Sequence, residues 1–243
     1  MPDQLRHIAT LLAAVVIAVG VAVAGKFIGD GFRDGRTEDR YVTVKGLAER
    51  DVRADLAVWP VRVTAASNDL GAAQARIDRS VDALTIFLIG EGLAQDAISP
   101  GRVEVTDLLA QSYRPDGAEK ARFILAQTVV VQTLEIDKVA AASARIGELL
   151  KLDVVLSVTG GPTYDFTGLN AIKPEMIAEA TQSAREGAER FAADSKSRVG
   201  SIRRANQGVF TIGAAAGSAI GPPDAAINKR VRVVSTLQFY LED

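Results

Sequence analysis

The sequence predicts an α+β fold, mainly antiparallel sheets covered by helices, preceded by an N-terminal transmembrane helix. Three observations carry this: an uncharged run of 18 residues from Ile8 to Gly25, segments of alternating apolar residues, and stripes of helical spacing between them. Taken in order, the elements read ββαββαβαββ.

The leading run, IATLLAAVVIAVGVAVAG, would form a helix about 27 Å long, close to a hydrocarbon core of roughly 30 Å. Its Ile8, Leu11, Leu12, Val15, Val16, Ile17, Val19, Val21 and Val23 together favour insertion by about 3–5 kcal/mol. The run exceeds the usual core of a cleaved signal peptide, so residues 1–28 are expected to be a signal anchor contacting the lipid bilayer. The alternative is secretion after cleavage near Ala24, behind the small residues of Ala22-Val23-Ala24. Residues 29–40, rich in Gly and charge, read as a linker. Lys26, Arg33, Arg36 and Arg40 follow the run while only Arg6 precedes it, a bias that by itself leaves the C-terminal part inside the cell. The signal-like ending argues for the opposite orientation. Two nucleotide-like patterns fail on context: Gly20, Gly25 and Lys26 have P-loop spacing but end in Phe27, and Gly29, Gly31 and Gly35 follow no strand.

Beyond the linker, Tyr41–Leu47 and Val52–Ala65 read as strands joined by a charged turn at residues 48–51. Trp59, Val61 and Val63 share one face of the second strand, and Pro60 marks it as an edge or a bulge. Leu70, Ala73, Ile77, Val81, Leu84 and Leu88 form a helical stripe over residues 70–89, with Asn68 as its expected cap. Strands at residues 102–113 and 122–134 flank a turn at residues 114–117. A helix over residues 138–150 is capped by Asp137 and turns Val139, Ala142, Ile146 and Leu149 inward, and a short strand at residues 154–159 follows. The third stripe, Ile177, Ala180, Ala184, Ala188 and Phe191, belongs to a helix opening at Pro174 and ending near Asp194. Strands at residues 201–212 and 229–241 flank a Gly/Ala/Pro-rich loop. Within this order, residues 58–159 read β-α-β-β-α-β, the signature of a ferredoxin-like lobe.

Composition removes most chemistry. There are no cysteines and one histidine, His7, beside the apolar run, so thiol and imidazole catalysis and most transition-metal sites are unavailable to the folded part. The 28 basic and 30 acidic residues nearly balance, which argues against a nucleic-acid partner. The carboxylate pairs Asp51/Asp55 and Glu104/Asp107 are the best acid/base or hard-metal candidates, yet their spacing is unspecific. Ser157 and Ser195 have no nucleophile-elbow setting. The expectation is no enzyme, no catalytic or metal residue and no cofactor. Arg203, Arg204, Lys229, Arg230 and Arg232 fall on the last two strands and could form an anion-attracting patch or a solvated face.

The stretches YVTVKGLAER (41–50), ADLAVWP (54–60), FTGLNAIKPEM (166–176), IRRANQG (202–208) and VRVV (231–234) together resemble SIMPL-domain proteins, over about residues 41–243. The resemblance implies a bacterial envelope protein anchored in the inner membrane by one helix, with its C-terminal domain in the periplasm. It also implies a two-lobed fold, with an outer lobe of about residues 41–105 plus 166–243 and an inserted lobe of about residues 106–165. Further implied are a loose association with stress responses, homo-oligomer formation and contacts with other envelope proteins. No catalytic set is implied. Phe166, Leu169, Asn170 and Lys173, with Arg203, Arg204, Arg230 and Arg232, are the expected interaction surface, and a small-ligand or lipid-binding module is the alternative.

Overall fold

The structure is a computed structural model that describes residues 15, 17–30, 40–111, 121–157, 160–217 and 221–242. It is α+β, with two antiparallel sheets and four α-helices among the described residues. The strands are β1 (Tyr41–Arg53), β2 (Leu56–Ser67), β3 (Ile98–Asp107), β4 (Phe123–Thr133), β5 (Val155–Ser157), β6 (Thr163–Asp165), β7 (Arg198–Gln207), β8 (Thr211–Ala214) and β9 (Asn228–Glu242). The helices are α1 (residues 17–30), α2 (Leu70–Gly90), α3 (Ile136–Arg145) and α4 (Leu169–Asp194).

Contacts divide the chain into two compact units, and the backbone passes between them four times. The larger unit holds residues 49–176 and 210–232. Its five-stranded sheet runs β3-β4-β2-β5, with β6 also on β2, and every pairing is antiparallel. Strand β2 alternates strictly, burying Trp59, Val61 and Val63 against Ile77, Leu84 and Leu88 of α2 and Val139 and Ala142 of α3. Pro60 lies on this central strand, not on an edge. It is tolerated because β6 pairs with residues 56–58 and β5 with residues 62–64, and between them the second edge of β2 has no strand partner among the described residues, so a missing N–H costs little there.

The smaller unit comprises, among the described residues, those up to 48, then 177–209 and 233–242. Here β9 runs between β1 and β7, and Val44, Leu237 and Phe239 pack with Ala184 and Ala188 of α4. Alanines at 180, 184, 188 and 192 are all buried, a four-residue repeat that lets the helix axis approach the sheet closely. Phe191, expected in this stripe, is 63% exposed, because Ala192 takes the inward position one residue on.

Other boundaries differ for local reasons. Strand β1 runs straight through residues 48–51, and the reversal falls at Ala54-Asp55, whose backbone N–H groups bond elsewhere in the fold. Asp69, not Asn68, caps α2 by accepting from the Ala72 N–H at 2.7 Å, while the Asn68 side chain accepts from the Arg122 N–H. Helix α3 starts at Ile136, so Asp137 lies in its first turn, and residues 146–152 tighten into a 3₁₀ segment ending at Asp153 in the left-handed region. Helix α4 starts five residues before Pro174. The expected strand over residues 201–212 is two, β7 and β8, separated at Gly208-Val209-Phe210.

The turn expected at residues 114–117 lies outside the described residues, as do Ile8, Leu11, Leu12, Val16 and linker residues 31–39. Val15, Ile17, Val19, Val21 and Val23 are helical and exposed. Among the described residues, no helix is long and apolar enough to cross a membrane.

Candidate functional site

The segment that leads into α4 is held by one carboxylate. The Ala54 N–H donates to the Ile227 carbonyl at 2.8 Å and the Asp55 N–H to the Asp165 carbonyl at 2.9 Å. The Asp55 side chain then accepts from the Thr167 N–H at 2.7 Å and from the Thr167 hydroxyl at 3.1 Å. Phe166 folds over Gly168, where a Cβ would come within 2.9 Å of the ring. Phe166, Leu169 and Lys173 are half-buried and Asn170 is exposed. The Lys173 ammonium lies 5.7 Å from the centre of the Phe210 ring. Residues 166–173 are therefore a packed shoulder of the larger unit with a few exposed groups. Asp55→Ala strands the Thr167 N–H and hydroxyl and should cost about 1–2 kcal/mol. The urea midpoint of that variant measures this, and Asp55→Asn, which keeps one acceptor, should recover part of the loss.

The four candidate arginines fall in different settings. Arg230 forms a two-point ion pair with Asp51, at 2.7 and 2.9 Å, and Arg232 approaches Glu49 at 3.5 Å. That pairing neutralises the positive charge that a patch at these two positions would present. In the smaller unit, Arg203 stacks over the Tyr41 ring at 4.2 Å and reaches the Gln238 side chain, while Arg204 is exposed on β7. Lys229 is buried, with its ammonium donating to the carbonyls of Pro223 and Asp224 at 3.0 and 3.1 Å. Burial pushes its pKa down, against the pull of Asp165 and Asp224. Lys229 thus pins the Pro223–Ala225 turn from within.

The candidate carboxylates are engaged as well. Glu104 accepts from Arg62 at 2.6 Å, and Asp107 accepts from both the Nε–H and an Nη–H of Arg122. The hydrogen bond from Arg230 holds the Asp51 carboxyl below its usual pKa, and that from Arg62 does the same for Glu104. A carboxyl kept ionised in this way is a poor general acid. Among the described residues, no group of three or more His, Asp or Glu side chains could hold a metal ion.

Two concavities lie in the larger unit. A shallow one of about 610 Å³ lies beside the Asp55 clasp, where Arg53 pairs with Asp137 and Lys138 with Glu135. The other, about 780 Å³, lies between the end of β2, the first half of α2 and the turn from the 3₁₀ segment into β5. Arg76 and Arg79 line it from the helix, and Leu150, Leu152, Asp153 and Val155 line it from the turn. Sequence reasoning missed this cavity, whose walls are up to about 90 positions apart in the chain. The visible signal was Leu150 and Leu152, apolar residues that lie off the inward stripe of Val139, Ala142, Ile146 and Leu149.

Comparison with known proteins gives one informative match. The family described as SIMPL, a protein family of unknown function (DUF541), matches residues 42–238. No curated protein matches the sequence. A solved structure described as a hydrolase from Listeria innocua aligns at 11% identity over 80% of this chain and 91% of that one, with a TM-score of 0.18. A likeness of that size bears on neither fold nor chemistry.

Proposed function

This chain belongs to the SIMPL family, and from that premise we propose that it is a non-enzymatic envelope protein acting through protein contacts. In this reading the apolar segment from Ile8 to Gly25 tethers it to the bacterial inner membrane and the remainder faces the periplasm as a homo-oligomer, with a stress-associated role. The larger unit is then the ferredoxin-like lobe: its order β3-β4-β2-β5 sets the first and third strands of the β-α-β-β-α-β run at the centre.

The observation that carries the assembly reading is strand β7. It is ten residues long, pairs only with β9 among the described residues, and is exposed at eight of its positions. A long edge strand with an open row of N–H and C=O groups invites strand addition by another chain. Arg198, Arg203 and Arg204, with two register shifts, discourage indiscriminate pairing and favour a partner surface of opposite charge.

Sedimentation of the full chain in mild detergent, with crosslinking in intact cells, tests this. The expected result is a discrete oligomer that dissociates when a proline at Ala205 interrupts the free edge, with the fold retained by circular dichroism. A monomer at all concentrations sinks the assembly reading. A C-terminal alkaline phosphatase fusion, expected to be active, tests the tether and its orientation. The alternative, a small-ligand or lipid-binding module, is favoured by the cavity of about 780 Å³.

A further inference from the structure

We propose that the cavity beneath the first half of α2 binds an amphipathic organic anion, an aliphatic chain ending in a carboxylate or phosphate. The inference rests on the ligand-binding alternative and is independent of assembly.

Its volume, about 780 Å³, is that of a small-molecule site. The two walls differ in chemistry. On the helix side, Arg76 and Arg79 lie one turn apart on α2, so both guanidinium groups can converge on one anionic head. Elsewhere in this unit, arginines such as Arg62, Arg122 and Arg230 are bonded to carboxylates. Arg76 instead donates to the Ala66 carbonyl at 3.1 Å, a contact that fixes its side chain at the cavity and leaves most of its donors for a ligand. Arg79 meets no carboxylate among the described residues. Asp153, the one acid on the lining, lies beyond ion-pair distance of both, so the walls carry a surplus of one positive charge.

The opposite wall sets three exposed aliphatic side chains around the carboxylate of Asp153. Leu150 and Leu152 are 61% and 65% exposed and Val155 is 57% exposed, three aliphatic side chains gathered within six residues at one mouth. Their placement is fixed by the backbone: Asp153 takes φ 57°, and the N–H groups of Asp153 and Val154 return to the carbonyls of Leu150 and Leu149. This local turn buries Leu149 while leaving its neighbours outward. A hydrocarbon chain laid on them would recover about 25 cal/mol for each Å² withdrawn from water, with its head between the two arginines. A neutral lipid would leave the guanidinium groups unused, and a free inorganic anion would leave the aliphatic wall wet.

The test uses the full chain in nanodiscs of uncharged lipid and a decanoate carrying a photoreactive diazirine, with labelled peptides mapped by mass spectrometry. Saturable labelling within residues 64–80 or 149–155 is expected, displaced by decanoate or decyl phosphate and not by decyltrimethylammonium. Which of the two competitors is stronger tells a fatty carboxylate from a phosphorylated lipid head. The Arg76→Gln/Arg79→Gln double variant should label at least tenfold less. Arg79→Gln alone, which removes no hydrogen bond or ion pair among the described residues, should lose at least threefold with an unchanged circular dichroism spectrum. Labelling that is equal for the uncharged amide of the same probe, indifferent to both variants, or located elsewhere overturns the proposal.

Discussion

Gly46→Ala should cost about 3 kcal/mol or more, or abolish folding of the smaller unit, although it adds one methyl group in the middle of a regular strand. A Cβ at this position would stand 2.6 Å from the Ala184 nitrogen and 2.8 Å from the Ala184 Cβ, and would penetrate the Ala180 carbonyl oxygen. These are mostly backbone atoms of α4, which cannot rotate aside as a side chain would. Relief requires moving the helix off the sheet, and with it the contacts of Ala184 and Ala188 on Val44, Leu237 and Phe239. A glycine in a strand sacrifices roughly 0.5–1 kcal/mol in entropy, so its presence here reflects the close approach. Gly187→Ala supplies the opposite sign on the same helix. There a Cβ would meet only a Val44 methyl at 4.0 Å, and the gain in helix propensity is about 0.8–1 kcal/mol. Urea unfolding of both variants, followed by far-UV circular dichroism, should move the midpoint down for Gly46→Ala and up for Gly187→Ala. An unchanged midpoint for Gly46→Ala would mean that the helix does not lie on this glycine.

The elements whose burial follows a single period were legible in the sequence. Strand β2, the α2 stripe at Ala73, Ile77, Leu84 and Leu88, and the inward face of β9 through Val231, Val233, Leu237 and Phe239 are buried as their spacing predicts, whereas Val81 is half-buried and Leu70, at the open end of the helix, is 44% exposed. What escaped depends on residues remote in the chain. Ala48-Glu49-Arg50-Asp51 reads as a turn because three of its four residues are charged. Yet Glu49 meets Arg232, Arg50 meets Glu175 and Asp51 meets Arg230, and those partners let β1 continue. Pro174 reads as a helix start, but the Asp55–Thr167 clasp sets the backbone turning five residues earlier, and the Ala171 N–H falls back to an i−3 carbonyl, that of Gly168. Phe191 reads as core because helical spacing cannot choose between neighbours at 191 and 192, and the close approach to the sheet selects the smaller. The interaction residues divide the same way. Asn170 and Arg204 are exposed, whereas the ion pairs of Arg230 and Arg232 connect strands about 180 positions apart and have no local signature.

Leu84→Ala is the corresponding probe of the larger unit, with an expected cost of about 2–5 kcal/mol. Leu84 is fully buried in the same cluster as Ile77, Leu88, Val63, Val129 and Val131. The wide range reflects how far α2 can settle into the vacated space, and the alanine at position 73, already small and fully buried, suggests that this helix has little slack. Leu84→Met, nearly equal in volume, should cost under about 1.5 kcal/mol and separates loss of packing from any effect of changing the residue as such. The chain has one tryptophan, Trp59, which is 3% exposed within this cluster, so its emission reports this unit. Leu84→Ala should lower the midpoint seen by Trp59 fluorescence by that full amount. Gly46→Ala acts in the other unit, and its loss should register first in helix content. Arg76 and Arg79 project from the half of α2 that Ala73 and Ile77 hold to the sheet, roughly one and a half to two turns ahead of Leu84. Loosening at Leu84 should therefore weaken labelling of the cavity by the anionic probe less than it lowers stability. If labelling vanished while Trp59 still reported a native core, the cavity would depend on the far end of the helix and its two walls would have to be redrawn.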